Sequence, residues 1–240
     1  MLLGSTLATY DSLAVADSSF ALMQYDAARS AYAALLQRDS TDPGVLWRLA
    51  RVNICMGDTA ARSRREPYYR AAVRYARAGI VADDSLGECH TWLAASLGNI
   101  AMYEGSNTKV ELAGEIKNEL DRAIALNSSD DVAWSILGSF FRALGNVSWL
   151  ERTLARVLYG KLPDGGYEDA EAALKKAIAI APDVMRHQFE LGLVYADWGK
   201  PEEAHQVFEK AMTLPVTRLS DLRALERMKR FVARLQGKED

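Results

Sequence analysis

The chain has 240 residues, of which 49% are hydrophobic and 25% charged, and its formal net charge is −3. This composition is typical of a globular protein, and so mild a charge gives no reason to expect a general nucleic-acid binder. No stretch reaches the ~18 uncharged apolar residues of a membrane-spanning helix. Prolines are sparse and no segment alternates Val and Ile as strands do, so the sequence predicts an all-α fold.

The N-terminal residues MLLGSTLATYDSL do not match a signal peptide, because they lack a basic start and Asp11 interrupts the apolar run. The compartment stays open: a soluble protein of the cytoplasm, or of the periplasm or exterior if an export signal has been removed. Cys55 and Cys89 are far apart in the sequence. They are predicted to be small buried hydrophobic residues, with a disulfide as the alternative.

In chain order, the helical segments fall into pairs. The predicted helices are 25–39 as the second member of a first pair, then 45–54 with 68–83, 91–99 with 116–130, 134–141 with 167–182, and the hairpin 189–212. The segment "SDLRALERMKRFVARLQGKED" adds one amphipathic helix, which Ser220 or Asp221 would start. Its apolar side would cover the last pair.

The hairpin 189–212 resembles a tetratricopeptide repeat (TPR). Gly192 and Ala204 are small at the point where two antiparallel helices cross closely. Leu191, Tyr195 and Phe208 would fill the space beside that crossing. Small and large residues recur in the same order in the upstream pairs, which indicates a repeat architecture.

The spacing of the repeats is irregular. An apolar or small residue near the end of each second helix marks the register at Leu35, Ala78, Ala123, Ala177 and Ala211, in steps of 43, 45, 54 and 34 residues. The standard repeat has 34 residues, so the excesses are 9, 11, 20 and none. The extra residues fall near 56–66, 100–110 and 143–164, between the first and second helix of a repeat. Such turns emerge along one edge of a solenoid, and insertions on one face often mark the binding face.

We therefore predict an all-α, TPR-like right-handed α-solenoid of five helical hairpins plus a C-terminal capping helix, with an extra helix inserted in the fourth repeat. A single domain would span 1–240. The predicted repeats are about 9–42, 43–84, 87–130, 131–184 and 185–215, and the capping helix is 219–236.

Three further segments make the resemblance more specific: "LWRLARV" at 46–52, "YEG" at 103–105, and "SWLERTLARVLYGKLPDGGYEDA" at 148–170. In this order and spacing, and with the closing hairpin, they resemble the regulator-of-microtubule-dynamics family of TPR proteins. The resemblance covers roughly 25–215. It is fairly specific, because the Trp/Leu/Arg insertion is not part of a plain repeat.

The resemblance implies a protein that is not an enzyme. Eukaryotic members are linked to microtubules and organelle contact sites, and in one branch the helical domain binds phospholipid. The membrane anchor and coiled coil of that branch are not found in this sequence, so tethering is not expected to transfer. The "ADSSF" opening and compact form are similar to bacterial relatives, some of which carry an export signal.

The insertion 148–167 has helical spacing. Leu150, Leu154, Val157 and Leu158 form an apolar stripe. A pair of arginines, Arg152 and Arg156, would project from one side. The insertion could be a helix that plugs the edge of the solenoid, a lid that offers its arginines to an anionic group, or a membrane-surface helix.

The segment 62–77 carries six arginines and one glutamate, with Arg70, Arg74 and Arg77 on one helix face. Such a run is usually a solvated outer helix. The alternative is a surface for an anionic partner.

The predicted function is a non-enzymatic binding module for a peptide or an elongated anionic amphiphile, such as a phospholipid or fatty acid. The first helices would line a concave groove. The candidate ligand-binding residues are Trp47, Arg51, Arg142, Trp149, Arg152, Arg156, Arg186 and Phe189. The arginines would hold the negative end and the aromatics would cover the apolar part; Trp47 could equally pack between helices.

The alternative function is a protein–protein interaction scaffold without a small-molecule site. A closed apolar cavity under 148–167 would favour the amphiphile, and an open polar trough would favour the scaffold. No cofactor is predicted. Glu202 and His205 have the spacing of half a di-iron site, but the second Glu-x-x-His is absent, so no metal is predicted. No phosphate loop, nucleophile elbow or Cys-x-x-Cys occurs. The oligomeric state stays open.

Overall fold

The fold was analysed in a computed structural model that describes residues 3–148, 152 and 162–235, with side chains from residue 12 onward. Over these residues the chain is helical and contains no strand. The all-α fold is therefore confirmed. No helix in the described part of the chain combines the length and the apolar character that crossing a bilayer requires. The extra helix predicted in the fourth repeat lies outside the described residues.

The helices form five antiparallel hairpins followed by a single helix. The first helices of the hairpins are α1 (Leu3–Ala21), α3 (Pro43–Thr59), α5 (Gly87–Glu104), α7 (Asp131–Gly145) and α9 (Met185–Asp197). The second helices are α2 (Tyr25–Leu36), α4 (Glu66–Ala82), α6 (Ser106–Leu126), α8 (Tyr167–Ile180) and α10 (Pro201–Met212). The last helix, α11, is Leu219–Leu235.

The first helices form the inner layer of the stack. From α3 onward, each of them contacts the first helix of the next hairpin, α3 with α5, α5 with α7 and α7 with α9. Each second helix packs instead against the first helix that follows it, such as α4 on α5 and α6 on α7. Helices that contact their counterparts in the next repeat lie on the inside of a curved array, so the first helices line the concave side.

Close helix crossings are built around glycine. A Cβ on Gly138 of α7 would lie 2.4 Å from Leu174 Cγ of α8, and one on Gly192 of α9 would lie 2.3 Å from Phe208 Cε1 of α10. Leu174 is 0% exposed and Phe208 is 1% exposed. The large residue thus occupies the volume that the missing side chain leaves free, as the sequence predicts for Gly192.

The second helices bury positions that are four and three residues apart, and this pattern corrects the predicted register. In the second hairpin the buried positions are Ala72, Ala76 and Gly79, whereas Ala78 is exposed. Gly79 is therefore the true counterpart of Ala123. The steps on either side of it become 44 and 44 residues, so the first two insertions are equal in length.

The same type of side-chain to backbone hydrogen bond occurs in three turns between hairpins. The side-chain oxygen of an Asp or Asn accepts the backbone N–H two residues later, which stabilises a tight turn. The pairs are Asp39 with Thr41, Asp83 with Ser85, and Asn127 with Ser129, at 3.0, 2.9 and 3.0 Å. Asn127, which lies in a glycosylation-type motif, thus serves as a turn residue.

Two of the insertions lengthen helices instead of forming loops. α3 and α4 have 17 residues each, and α5 and α6 have 18 and 21, against 13 and 12 for α9 and α10. Only Gly105 separates α5 from α6. Its φ of 110° lies in the region that glycine adopts without the penalty a side chain would impose.

In their described parts, the three insertions adjoin one another along one edge of the stack. Arg70 Nη2 at the start of α4 donates to Glu104 Oε1 at the tip of α5, at 2.6 Å. Leu162, at the end of the third insertion, is 6% exposed and packs in a cluster with Ala113 and Val110 of α6. The second insertion therefore contacts its neighbours on both sides.

Candidate interaction surface

The helix α11 covers the last hairpin, as a capping helix should. It buries Ala224 and Met228 together with core residues of α9 and α10. The ring of Phe231 packs edge-on against Phe208, with 5.1 Å between the ring centroids. Burial of this apolar side supplies the solenoid with its C-terminal cap.

The same helix also returns to the start of the chain. The Leu219 N–H donates to the phenolic oxygen of Tyr25 in α2, at 3.3 Å. Arg223 donates from Nη1 to the carbonyl of Asp58 at 2.5 Å, and from Nη2 to that of Thr59 at 2.9 Å. Terminal carbonyls of a helix lack partners within the helix, so Arg223 satisfies the end of α3.

Because α11 contacts both α3 and α9, it crosses the inner side of the solenoid. The sequence predicts that the first helices line an open concave groove. The structure corrects this picture, since the chain's own last helix occupies part of the concave side. The candidate residues have to be judged against this arrangement.

The start of α11 is fixed by a buried carboxylate. Asp221 is 1% exposed, and its Oδ2 accepts the backbone N–H groups of Arg218 at 2.9 Å and Thr217 at 3.2 Å. A carboxylate at this position satisfies the free N–H groups that precede a helix. Asp221 thus holds the first turn, although the helix begins two residues earlier, at Leu219.

An open groove runs along the exposed side of α11. Its volume is about 410 Å³, and its lining residues are Leu222, Arg223, Glu226, Arg227 and Arg230. Four of these five residues are charged, and three of them are arginines. The sequence predicts this helix as an amphipathic cap and does not single out its polar side. The signal that could have found it is the spacing of Arg223, Arg227 and Arg230, which places three arginines on one helix face.

Arg51, a predicted ligand residue, binds within the protein. Its Nη2 lies 3.4 Å from Asp17 Oδ1 and 3.3 Å from the Tyr32 hydroxyl. Its guanidinium lies 3.8 Å from the ring centroid of Phe20 and 4.9 Å from that of Trp47. Arg51 therefore joins the first two hairpins.

Trp47, the second candidate in this region, is half-buried. It packs against the core between α3 and its neighbours, and Arg48 Cζ lies 4.2 Å from its ring centroid. The structure thus favours the interpretation of Trp47 as a side chain packed between helices.

Acid should weaken the junction of the first two hairpins. Burial raises the pKa of Asp17, but hydrogen bonds from Arg48 and Tyr32 outweigh it and hold this pKa below its ordinary value. A carboxylate with a depressed pKa stabilises the fold above its unfolded-state pKa, and this contribution is lost as the pH falls through the folded-state value. We expect Asp17→Asn to lower the free energy of unfolding at pH 7 by about 1–2 kcal/mol, discounted for the partial exposure of Asp17.

Urea titrations between pH 7 and about pH 2.5 measure this effect. The difference between the parent and Asp17→Asn should shrink towards the acid end. Asp26→Asn on the same hairpin is the matched control, because Asp26 has a side chain that is 88% exposed and a 3.8 Å ion pair with Arg29. A difference that stays constant with pH would show that the carboxylate of Asp17 carries no such linkage.

Arg142 and Arg186 share one carboxylate. Arg142 Nη1 lies 3.8 Å from Glu190 Oε2, and Arg186 Nη1 lies 3.7 Å from Glu190 Oε1. Arg142 Nε also lies 3.7 Å from Asp197 Oδ2. These charges link α7 to α9 and are partly neutralised within the protein.

Phe189 is a core residue. It is 2% exposed, and its ring centroid lies 6.1 Å from that of Phe208. Arg227 Cζ lies 5.3 Å from the Phe189 centroid, and Arg186 Cζ lies 5.8 Å from it. Its ring is therefore not open to a ligand, which corrects its predicted role as a groove aromatic.

The predicted lid is described only in part, because Trp149 and Arg156 lie outside the described residues. Arg152 is half-buried and donates from Nη2 to the carbonyl of Leu144 at 2.8 Å. This contact caps the last turn of α7. Together with the burial of Leu162, it is the kind of contact expected if the segment plugs the edge of the solenoid.

The arginines of the first insertion fall into two groups. Arg70 and Arg77 of α4 pair with Glu104 and Glu115, at 2.6 and 2.8 Å. Arg62 and Arg64 of the 3-10 turn Arg62–Arg64 are exposed and form no ion pair with any described residue.

Two histidines bind between helices. His90 Nδ1 lies 2.6 Å from Glu119 Oε2, and His187 Nε2 lies 2.7 Å from Asp131 Oδ2. Both histidines are buried, at 3% and 2% exposure. The third, His205, lies 3.6 Å from Glu209 on the same helix. In the part of the chain that the structure describes, no three His, Cys, Asp or Glu side chains are arranged to hold a metal ion.

Both cysteines are free and buried, as predicted. Burial raises the pKa of the Cys55 thiol to about 11 and that of Cys89 to about 12. Neither thiol is therefore a reactive thiolate at neutral pH.

The paired helices, the glycine crossings and the closing helix define a TPR-like α-solenoid. A thermophilic TPR protein of Thermus thermophilus has a similar structure: the TM-score is 0.65 at 19% identity, over 93% of this chain and 98% of that one. At this identity the likeness concerns the fold. The chain belongs to the regulator of microtubule dynamics family, because residues 12–236 match the family described as "Regulator of microtubule dynamics protein 1-3".

Individual relatives are distant. Regulator of microtubule dynamics protein 1 of Bos taurus is 28% identical over 148 residues, which cover 61% of this chain and 47% of the relative. Protein 2 of Mus musculus is 25% identical over 202 residues, which cover 83% of this chain and 49% of the relative. The chain thus spans about half the length of these two curated relatives.

Proposed function

We propose that the chain is a non-enzymatic protein-interaction module that holds an extended segment of a partner protein in the groove beside α11. The observation that carries the proposal is the open groove along the exposed side of α11, which is lined by four charged residues and one leucine. The relatives are named for regulation of microtubule dynamics, and a module that binds a protein partner is compatible with such a role.

The lining favours a peptide over an anionic amphiphile. An acyl chain needs enclosed apolar surface, whereas Leu222 is the only apolar lining residue of this groove. A peptide backbone offers carbonyl groups to arginine donors, and its side chains can contact the exposed Leu222. The α11 face from 222 to 230 is about 12 Å long, which matches about four residues of extended chain.

Photo-crosslinking tests the location of this groove without disturbing the fold. p-Benzoyl-phenylalanine would replace Leu222, which is 51% exposed in the groove, or Val81, which is 89% exposed at the end of α4. The probe is a phage-displayed library of random peptides about 12 residues long, selected against the parent chain. We expect the selected peptides to crosslink at position 222 and not at position 81.

Peptides that bind but never crosslink at position 222 would reject the groove. A library that yields no binder, combined with fatty acid bound to the purified chain in native mass spectra, would favour the amphiphile instead.

A further inference from the structure

We propose that the groove beside α11 selects an acidic segment of its protein partner, through the arginines that line it and the exposed arginines of the first insertion. This inference rests on the proposed function and names the chemistry of the partner. These arginines are Arg223, Arg227 and Arg230 on α11, and Arg62 and Arg64 in the 3-10 turn.

Two arginines of the groove have no acidic partner within the described part of the protein. Arg227 and Arg230 have no ion pair or hydrogen bond among the described residues, and Arg227 Cζ lies 5.3 Å from the ring centroid of Phe189. Glu226 is the only carboxylate that lines the groove, and its Oε1 lies 3.2 Å from Lys229 Nζ. Exposed arginines without internal partners are available for carboxylates of another chain.

The groove continues into the first insertion through Arg223. This residue lines the groove and also donates to the carbonyls of Asp58 and Thr59. The chain reaches the exposed 3-10 turn Arg62–Arg64 three residues later.

The carboxylate at the end of α3 is that of Asp58, and it does not neutralise the exposed arginines. Burial raises the pKa of Asp58, against the hydrogen bond from Tyr69 and the charges of Arg186 and Arg218, which lower it. The Tyr69 hydroxyl donates to Asp58 Oδ1 at 2.9 Å. Asp58 is half-buried and hydrogen-bonded to Tyr69 of α4, and it forms no ion pair with a described arginine.

The neighbouring edge shows the opposite arrangement. There Arg70 and Arg77 are matched by Glu104 and Glu115. Among the described residues, two of the three arginines of α4 are thus paired, whereas Arg227 and Arg230 of α11 form no ion pair. Charge complementarity of this kind determines which partner is accepted and how fast it associates.

The shape favours an acidic polypeptide over an anionic membrane. The arginines of α11 belong to a helix that contacts α3 and α9 of the inner layer, where a polypeptide segment fits more readily than a flat bilayer surface. From Arg223 to Arg230 the helix rises about 10 Å, or about three residues of extended chain, and the 3-10 turn adds further length. The expected ligand is a segment of about six to eight residues rich in Asp and Glu.

Fluorescence anisotropy with a labelled Glu-Glu-Gly repeat peptide of about 12 residues measures this selectivity. We expect Arg227→Glu/Arg230→Glu to weaken binding by about tenfold or more, and Arg62→Glu/Arg64→Glu by about threefold. The matched control is Lys176→Glu/Lys210→Glu, which makes the same charge change on exposed positions of α8 and α10. It should stay within about twofold of the parent. Circular dichroism melts verify that each variant is folded.

A Gln-Gln-Gly peptide separates the two proposals. Equal binding of the Gln and Glu peptides would overturn acidic selectivity, while crosslinking at position 222 would still support the groove. If the Glu peptide loses as much affinity for the control variant Lys176→Glu/Lys210→Glu as for Arg227→Glu/Arg230→Glu, its binding depends only on net charge. That result also overturns the inference. Tight binding to vesicles of phosphatidylserine, abolished by Arg227→Glu/Arg230→Glu, would assign the arginines to a membrane and reject the acidic polypeptide.

Discussion

Replacing Phe208 by alanine should lower the free energy of unfolding by about 3–5 kcal/mol. Phe208 is 1% exposed and fills the gap beside Gly192. It also packs against Phe189 and against Phe231 of the closing helix, with centroid separations of 6.1 and 5.1 Å. Truncation would leave a cavity at the junction of α9, α10 and α11, and the residues around it belong to three helices that cannot all collapse into it.

Urea denaturation measures the loss, and hydrogen exchange locates it. We expect the amides of α11 to exchange faster in Phe208→Ala, because Phe231 loses the partner that holds it. Val81→Ala is the control, since Val81 is 89% exposed and should change the stability by less than about 0.5 kcal/mol. A loss below about 1 kcal/mol for Phe208→Ala would contradict its place in the core.

The second large effect on stability is expected at the two glycines where helices cross closely. We expect Gly138→Ala and Gly192→Ala each to destabilise the fold by about 1–3 kcal/mol. The new Cβ would lie 2.4 Å from Leu174 Cγ or 2.3 Å from Phe208 Cε1, so a buried side chain has to move. At Gly138 the carbonyl of Ala170, at 3.2 Å, further limits the adjustment.

Gly98→Ala in α5 is the control, and its effect on stability should be opposite to that of the other two substitutions. It lies within a helix, and a Cβ there meets nothing within 4 Å. Alanine should stabilise the chain by about 0.5–1 kcal/mol, because it favours the helix and creates no overlap. Thermal melts of the three variants test the contrast. Destabilisation by all three would show that helix crossing is not what requires glycine at 138 and 192.

The hairpins could be predicted from the sequence because their signals are local. Gly192 and Phe208 are 16 residues apart, and their sizes match a helix crossing that a single hairpin explains. The spacing of the buried residues within α8 and α10 is also a local signal that the sequence shows. Ala78 was assigned to the register in place of Gly79 because both are small, and only packing distinguishes the buried residue from its exposed neighbour.

The candidate site was predicted less well because its contacts are long-range. Arg51 contacts Asp17, which is 34 residues away in the sequence, and Arg223 contacts Asp58, which is 165 residues away. The periodic pattern of apolar residues in the sequence does not predict such long-range pairs. Position on the first helices predicts a ligand role for Arg51, Arg142 and Arg186, whereas an amphipathic pattern at the C-terminus predicts only a cap. The sequence predicts insertions along one edge, yet the first two extend helices, which a repeat spacing cannot distinguish from loops.

The bond from Arg223 to the end of α3 has a consequence for how the molecule folds. Most repeat arrays are quasi-one-dimensional, because each unit touches only its neighbours, and they can fray from either terminus. Here the final helix is bonded to the second hairpin, so loss of the C-terminal helix also removes contacts of α3. Such an array should melt in one cooperative transition, and the long-range contacts between α11 and α3 should make it fold more slowly than an open stack of the same length.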